Sequence, residues 1–377
     1  MADKLYEIYG DSFCFIQTRE PLDFRVAVHQ EGFERPYLLG LARSAEEYDL
    51  CINILKKASV VIVGELSSKF SKIINKKALV LKYSERIFKK ELHRYSFLKR
   101  IKQKLFFLNE KFFTFGNRAY LLSAGAYSPL DYSKFGLYKS KAFKWGYFPK
   151  YFKYDWSELS KEKSNNKCLQ IVWASRLIKY KHPQTAINVA LFLKQKGIRF
   201  KMHIIGDGDE KSGELKKEIE SQIIAHNMQN EIIMHGKIPA EEVLEFYRKC
   251  DIALFTYSFS EGWGVGVNEA MNAGCVVVSA HSVGSARYLI KNGINGFIYE
   301  YGNNEMLFDA VLRAAVDAEL RFNIGKKAYQ SIVEIWNYEN AAKRLSVLID
   351  CLQNGKQIPF EDGPCSKADI INEKWMK

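Results

Sequence analysis

Glu261 and Glu269 bracket seven residues that include Gly262, Gly264 and Gly266. The whole segment reads Glu261-Gly-Trp-Gly-Val-Gly-Val-Asn-Glu269. Glycines let the backbone approach a ligand, and free amides at the start of a helix favour a phosphate. A carboxylate beside a phosphate is repelled unless it faces hydroxyls. Sugar and ribose hydroxyls are therefore its natural partners, and an ordinary Gly-rich turn with two exposed acids is the plain alternative. A second cluster, Ser175-Arg176-Leu-Ile-Lys179-Tyr-Lys181-His-Pro183, could clamp a diphosphate. Arg176 would act through its bidentate fork and Lys181 as a point charge. A solvated basic loop is the competing reading. The third cluster is Gly206-Asp207-Gly208-Asp209. Asp207 and Asp209 have the spacing of a metal-binding pair, but Asp-Gly steps are also common in turns.

Other chemistries lack their residues. The seven histidines are dispersed, and the seven cysteines form no CxxC pair. That argues against a zinc site and against a disulfide framework, so no metal is expected. No GxSxG, Walker A or complete GxGxxG occurs, which leaves hydrolytic nucleophiles and ATP-driven chemistry unsupported.

All three clusters follow short apolar runs. Residues 168–174, 200–206, 231–235, 251–256, 275–279 and 296–299 read as strands. Between and after them, 183–196, 210–226, 239–249, a stretch starting at 267, 304–318 and 338–352 read as helices. Such alternation implies a parallel, doubly wound sheet, and loops after parallel strands are where open α/β sheets bind ligands. The first half alternates less cleanly. It suggests strands over 13–17, 60–64, 78–82, 120–123 and 143–147, with helices over 45–58 and 85–107. A two-domain α/β chain follows, with domains over 1–155 and 156–350 and a tail over 351–377.

A length of 377 residues suits two domains, and 47% hydrophobic with 26% charged residues excludes wholesale disorder. No apolar run is long enough for a membrane-spanning helix, and no secretory leader is read at the start, so a cytoplasmic location is expected. The net charge is +13. Residues 1–167 carry all of that excess, and it is densest over 69–104. Such a block attracts nucleic acid, anionic headgroups or a diphosphate. Over 85–107, Phe88, Leu92, Tyr95, Leu98, Ile101 and Leu105 recur every three or four residues among lysines and arginines. That pattern is an amphipathic basic helix suited to an anionic bilayer, or equally a core helix with a solvated face. No nucleic-acid-binding signature accompanies it, so nucleic acid is not an expected partner.

Together the three loops resemble the retaining GT-B glycosyltransferases of family 4. The family's Gly-Arg-Leu…Lys element corresponds to Ser175-Arg176-Leu177…Lys181, with Ser for the usual Gly. Its Gly-x-Gly corresponds to Gly206 and Gly208, and its His-Gly to His235-Gly236, near the nucleotide base. Its Glu-Gly-Phe-Gly…Glu-Ala-Met-Ala-x-Gly corresponds to Glu261-Gly-Trp-Gly…Glu269-Ala-Met-Asn-Ala-Gly274. The likeness covers about 168–345. Tyr83-Ser-Glu-Arg-Ile-Phe-Lys-Lys90, Ser123-Ala-Gly-Ala-Tyr127, Lys144-Trp-Gly-Tyr-Phe148 and Asp362-Gly-Pro-Cys-Ser-Lys-Ala368 resemble bacterial capsule and exopolysaccharide transferases of the same group.

The resemblance implies a GT-B fold of two Rossmann-like domains facing a cleft. It implies sugar transfer from a UDP- or GDP-sugar to a polyprenyl-linked or oligosaccharide acceptor, with retention and without metal or cofactor, in surface polysaccharide synthesis. Arg176 and Lys181 would stabilise the leaving diphosphate, and Glu261 would steer the donor sugar. Glu269 would hold ribose hydroxyls. Gly206, Gly208, Gly236, Gly264, Val265 and Gly266 would line the donor site. The basic stretch over 85–107 would rest on the inner face of the plasma membrane, and a helix over 368–377 would cross back to the first domain. Two alternatives stand beside this: a non-catalytic nucleotide-sugar-binding protein or truncated, inactive transferase, and a sugar-nucleotide epimerase on the same fold. Chains of this fold open with a buried strand. Here 1–9 reads as the end of the first helix and 13–17 as the second strand, so the first strand is expected to be missing.

Overall fold

Val276–Ala280 is a run of three valines, a serine and an alanine, and all five residues are buried. Runs of this kind, without polar alternation, belong to parallel sheets covered on both faces. The computed structural model describes residues 1–18, 35–41, 43–64, 68–89, 101, 104–108, 110–111, 114, 118–208 and 213–375. Twelve strands are named in chain order. In the first half they are β1 (Phe15–Gln17), β2 (Leu38–Gly40), β3 (Val60–Val63), β4 (Leu79–Ser84), β5 (Arg118–Ala124) and β6 (Ala142–Trp145). In the second half they are β7 (Leu169–Ala174), β8 (Phe200–Ile205), β9 (Ile232–Gly236), β10 (Ile252–Phe255), β11 (Val276–Ala280) and β12 (Phe297–Tyr299).

The second half forms one six-stranded sheet of order β12-β11-β10-β7-β8-β9, parallel throughout. Read from β9, this is the doubly wound order in which the chain reverses direction at the central strand, β7. Helices Pro183–Gln195, Gly213–Ala225 and Asn304–Val316 pack together as one layer. Helices Trp156–Ser164, Ala240–Lys249, Gly266–Asn272 and Ala318–Gln330 form another. Helix Ala318–Gln330 was not legible as a separate element. Asp317 both ends the preceding helix and caps this one, accepting from the Leu320 N–H at 2.8 Å.

The first half is divided. Strands β3-β4-β5-β6 make a four-stranded parallel sheet, and β1 pairs in parallel with β2 as a separate ribbon. Among the described residues no strand joins the two. Strand β2 and helix Ser128–Ser133 were not expected from the sequence, while helix Ala45–Lys57 was. Its N-cap Ser44 accepts from the Glu47 N–H.

Two expectations change. Helix Tyr338–Asn354 was assigned to the second domain, but Leu345 and Leu348 pack with Leu5, Leu79, Leu81 and Leu122 of the first. This helix is therefore the crossing element. The helix expected over 368–377 is extended chain where described: the Ala368 N–H bonds to Ala142 O and the Cys365 N–H to Lys144 O, along the edge of β6. The basic helix over 85–107 falls largely outside the described residues, and Glu85–Lys89 is not helical. Phe88 is buried, against the Phe107 and Phe135 rings.

Candidate active site

Lys181 closes a short 3-10 turn, Lys179–Lys181, directly after β7. A chain of buried polar groups fixes it. The Trp173 indole N–H donates to Thr256 Oγ1 at 2.9 Å, and that hydroxyl donates to the Lys181 carbonyl at 2.7 Å. The ammonium stands 3.7 Å from the centre of the Tyr257 ring and forms an ion pair with Glu261. Both partners are nearly buried, at 10% and 15% exposure. Burial lowers the Lys181 pKa, and Glu261 opposes the shift.

Beside the pair lies a cavity of about 280 Å³ at the C-terminal ends of the central strands. Lys181, Gly206, Glu261, Gly264, Val265, Gly266 and Glu269 line it. Burial raises the Glu269 pKa, and its carboxylate has no hydrogen-bond or ion-pair partner among the described residues. A half-buried acid left open toward a cavity is suited to accepting hydroxyl protons from a ligand. Gly206 has φ +128°, and a Cβ there would fall 1.9 Å from the Ser175 carbonyl oxygen. Its N–H bonds to Gly236 O at 2.7 Å, so the loops after β7, β8 and β9 are pinned together. Trp263 is fully buried, and its N–H donates to Asn268 in the first turn of helix Gly266–Asn272 at 2.8 Å.

The remaining candidates lie near the cavity without lining it. Arg176 is exposed, with Nη2 at 3.4 Å from the Tyr180 hydroxyl. Gly208 and Gly236 are not among the lining residues. The His235 ring faces His203 and Phe246 inside the domain. Asp207 accepts from the Gly208 N–H at 2.8 Å and from Lys216 at 3.2 Å, and Asp209 lies outside the described residues. Among the described residues no group of three His, Cys, Asp or Glu side chains could hold a metal ion.

Sequence reasoning missed Lys237, Ile238, Val243, Tyr247 and Tyr257, which also line the cavity. Lys237 and Ile238 directly follow the His235-Gly236 pair, so position after β9 was the available signal. It also missed Glu85. That carboxylate reaches across from the first domain, and a Cβ on Gly262 would fall 2.2 Å from its Oε2. The domains meet here: the Ala126 N–H bonds to Gly284 O at 3.0 Å, and the Tyr127 hydroxyl donates to His281 O at 2.6 Å.

Residues 155–331 match the family described as glycosyl transferases group 1. The chain has the GT-B fold, two Rossmann-like domains facing across a cleft, and the group 1 match falls in its second half. One similar protein is the poly(glycerol-phosphate) alpha-glucosyltransferase of Bacillus subtilis, 28% identical over 158 residues, which are 41% of this chain and 22% of that one. Another is the N-acetyl-alpha-D-glucosaminyl L-malate synthase of Bacillus anthracis, 25% identical over 209 residues, 55% of this chain and 52% of that one. The chain thus spans between about a fifth and a half of the length of these curated relatives. Among solved structures, HepE of Anabaena in complex with UDP aligns with a TM-score of 0.63 at 16% identity, covering 91% of this chain and 94% of that one.

Proposed function

We propose that the protein is a retaining glycosyltransferase of family 4. It would move a sugar from a nucleotide-diphosphate donor to a glycan or lipid-linked glycan acceptor. One observation carries the reading: the nearly buried Lys181–Glu261 pair and the open carboxylate of Glu269 line one cavity at the strand ends. Lys181 meets the diphosphate, and Arg176 closes from the rim. Charge that builds on the leaving diphosphate is stabilised where water is scarce and Coulomb terms are large. Glu269 accepts from the ribose hydroxyls. Once the phosphate takes Lys181, Glu261 is free to accept from donor-sugar hydroxyls and set the anomeric carbon. The acceptor attacks from the face the diphosphate leaves, and the departing phosphate oxygen takes its proton.

UDP is the nucleotide we favour, because HepE, which shares the fold, was solved with UDP. Two cations at the diphosphate, together with the engagement of Asp207 by Lys216, support turnover without metal. A role in surface polysaccharide synthesis follows from the family resemblance, and the Bacillus subtilis relative, by its name, glucosylates a poly(glycerol-phosphate). Among the described residues no helix is long and apolar enough to cross a membrane. The basic excess of the first domain supports peripheral contact with anionic lipid through 85–107.

The test is calorimetric titration with UDP and GDP, followed by turnover of the corresponding glucose donors. Glu269→Ala should weaken nucleotide binding at least tenfold, about 1.4 kcal/mol. Binding and turnover should survive EDTA. Equal affinity in wild type and Glu269→Ala would overturn the assignment.

A further inference from the structure

Arg86, just beyond β4, is the most fully enclosed cation at the seam between the domains. Its side chain is 2% exposed. One nitrogen, Nη2, meets the Glu373 carboxylate and lies 3.6 Å from Asp131 Oδ1. Nε and Nη1 have no hydrogen-bond partner among the described residues. A guanidinium presents its N–H groups as a planar fork that fits phosphate, and unmatched donors in a buried fork are costly. Asp131 pairs with the guanidinium by charge but does not fill the fork: its Oδ1, also without a hydrogen-bond partner among the described residues, stays 3.6 Å from Nη2, and its Oδ2 accepts from the N–H groups of Ile87 and Phe88, each at 2.8 Å. The rings of Tyr127 and Phe259 flank the guanidinium, both at 5.5 Å. From the second domain, Arg287 stands close enough that its charge and that of Arg86 both act on the Tyr127 hydroxyl. Arg287 has no ion pair among the described residues.

Glu373 is the carboxylate that occupies this place, and it comes from the tail. Residues 369–375 leave the edge of β6 and run to the seam as a strap. Glu373 is 33% exposed. Its carbonyl meets His281 Nε2 at 3.0 Å, and the Trp375 ring lies 5.4 Å from the His281 ring. The donor cavity is next door. Phe259 flanks Arg86, and Glu261, two residues on, pairs with Lys181; two residues of chain span roughly 7 Å at most.

We propose that Arg86 heads a second anion site, on the acceptor side of the cleft, which takes a phosphate group, and that Glu373 is a resident stand-in which that phosphate displaces. The link to an acceptor rests on the transferase reading; the phosphate site and its strap do not. A single carboxylate contact uses one corner of the fork, whereas a phosphate offers several oxygens to Nε, Nη1 and Nη2 together. The phosphate is either that of a soluble ester or that of a lipid headgroup. Its entry frees the strap.

The test follows tryptic cleavage after Lys374 by mass spectrometry, using the full chain. Inorganic phosphate should speed that cleavage at least threefold over chloride of equal ionic strength. Glu373→Gln should be cleaved rapidly without phosphate and bind phosphate several-fold more tightly in titration. Arg86→Gln should show no phosphate response, and Arg86→Lys, which keeps the charge and loses the fork, only a weak one. Because Glu373 lies on the strap, its variant keeps the proposal testable even if Arg86→Gln fails to fold. Phosphatidylcholine vesicles with and without phosphatidic acid provide the second arm. A response to phosphate assigns a soluble ester, and a response to phosphatidic acid alone assigns a lipid headgroup. Cleavage that ignores both, or an Arg86→Gln protein that responds like wild type, would overturn the proposal. The same release in Glu269→Ala, which is expected to lose UDP, separates a failure of this site from a failure of the donor site.

Discussion

Val276–Ala280 and Val60–Val63 are built from nearly the same β-branched residues, yet they end in different surroundings. Strand β11 lies between β10 and β12, beneath helices, and every residue is buried. Strand β3 has β4 as its one strand neighbour among the described residues, and Ile62 is 41% exposed. Composition makes both segments strands; neighbours decide which of them becomes core. The difference extends over both domains. The second domain is one continuous six-stranded sheet, and Lys181, Glu261 and Glu269 sit at its strand ends. The first is a four-stranded sheet beside a two-stranded ribbon, and helix Tyr338–Asn354 from the far end of the chain completes its packing.

The largest expected effect lies in the second domain. Trp173 is fully buried in the central strand, and its indole N–H holds Thr256, which holds the Lys181 carbonyl. Trp173→Ala should cost about 3–5 kcal/mol in denaturant unfolding, with loss of donor binding. A cost below about 1 kcal/mol would contradict the view of this strand as the organising core. Next is Leu345→Ala, expected to cost about 2–4 kcal/mol. Leu345 follows the second domain in sequence but packs on the first. Hydrogen exchange should therefore report faster opening of β4 and β5 than of β10 and β11. The reverse pattern would return the helix to the second domain. The comparison itself is tested by one substitution made twice. Ile171→Val, fully buried in β7, should cost about 1 kcal/mol, while Ile62→Val in β3 should fall within about 0.5 kcal/mol of wild type. Equal costs would show that β3 is covered as tightly as β7.

The same contrast explains what could be read in advance. In the second half, apolar runs and helix periods alternate at a steady pace, and each expected strand appears within a residue or two. The three loops were legible because glycines and charges directly follow those runs. Glu85 was not, because its role depends on the other domain reaching Gly262, and no local pattern carries that distance. Tyr257 and Tyr247 carry no local signal of a site, and they line the cavity only because the loops around them leave a gap. Helix Tyr338–Asn354 was legible as a helix but misassigned. Its apolar stripe says that it is covered, not by which domain. The basic segment over 85–107 differs at its start: its period predicts a helix from residue 85, yet Glu85–Lys89 is not helical and the Asp131 carboxylate takes the Ile87 and Phe88 amides, whereas residues 104–108 are helical.

The smallest expected effect sets the two domains against each other in pH. In the second domain, His203 Nδ1 lies 2.9 Å from His235 Nε2, and its Nε2 lies 3.1 Å from Gln170 Oε1. Burial, with help from His235 and Lys201, holds its pKa down to about 4, against 6.5 when free. As pH falls below 6.5 the unfolded chain takes up this proton first, so stability present above 6.5 is lost toward pH 4. In the first domain, burial pushes Asp131 up to about 6 from 3.8, against the pull of Arg86 and two backbone amides. Here the folded state takes up the proton first, so the first domain gains stability as pH falls from about 7 to 4. Solvent access and neighbouring charges reduce each contribution to about 1 kcal/mol or less. Calorimetry between pH 7 and 4.5 should show His203→Gln flattening the acid loss of the second domain and Asp131→Asn removing the gain of the first. Difference curves of the same sign for the two variants would mean that the domains do not carry opposite linkages.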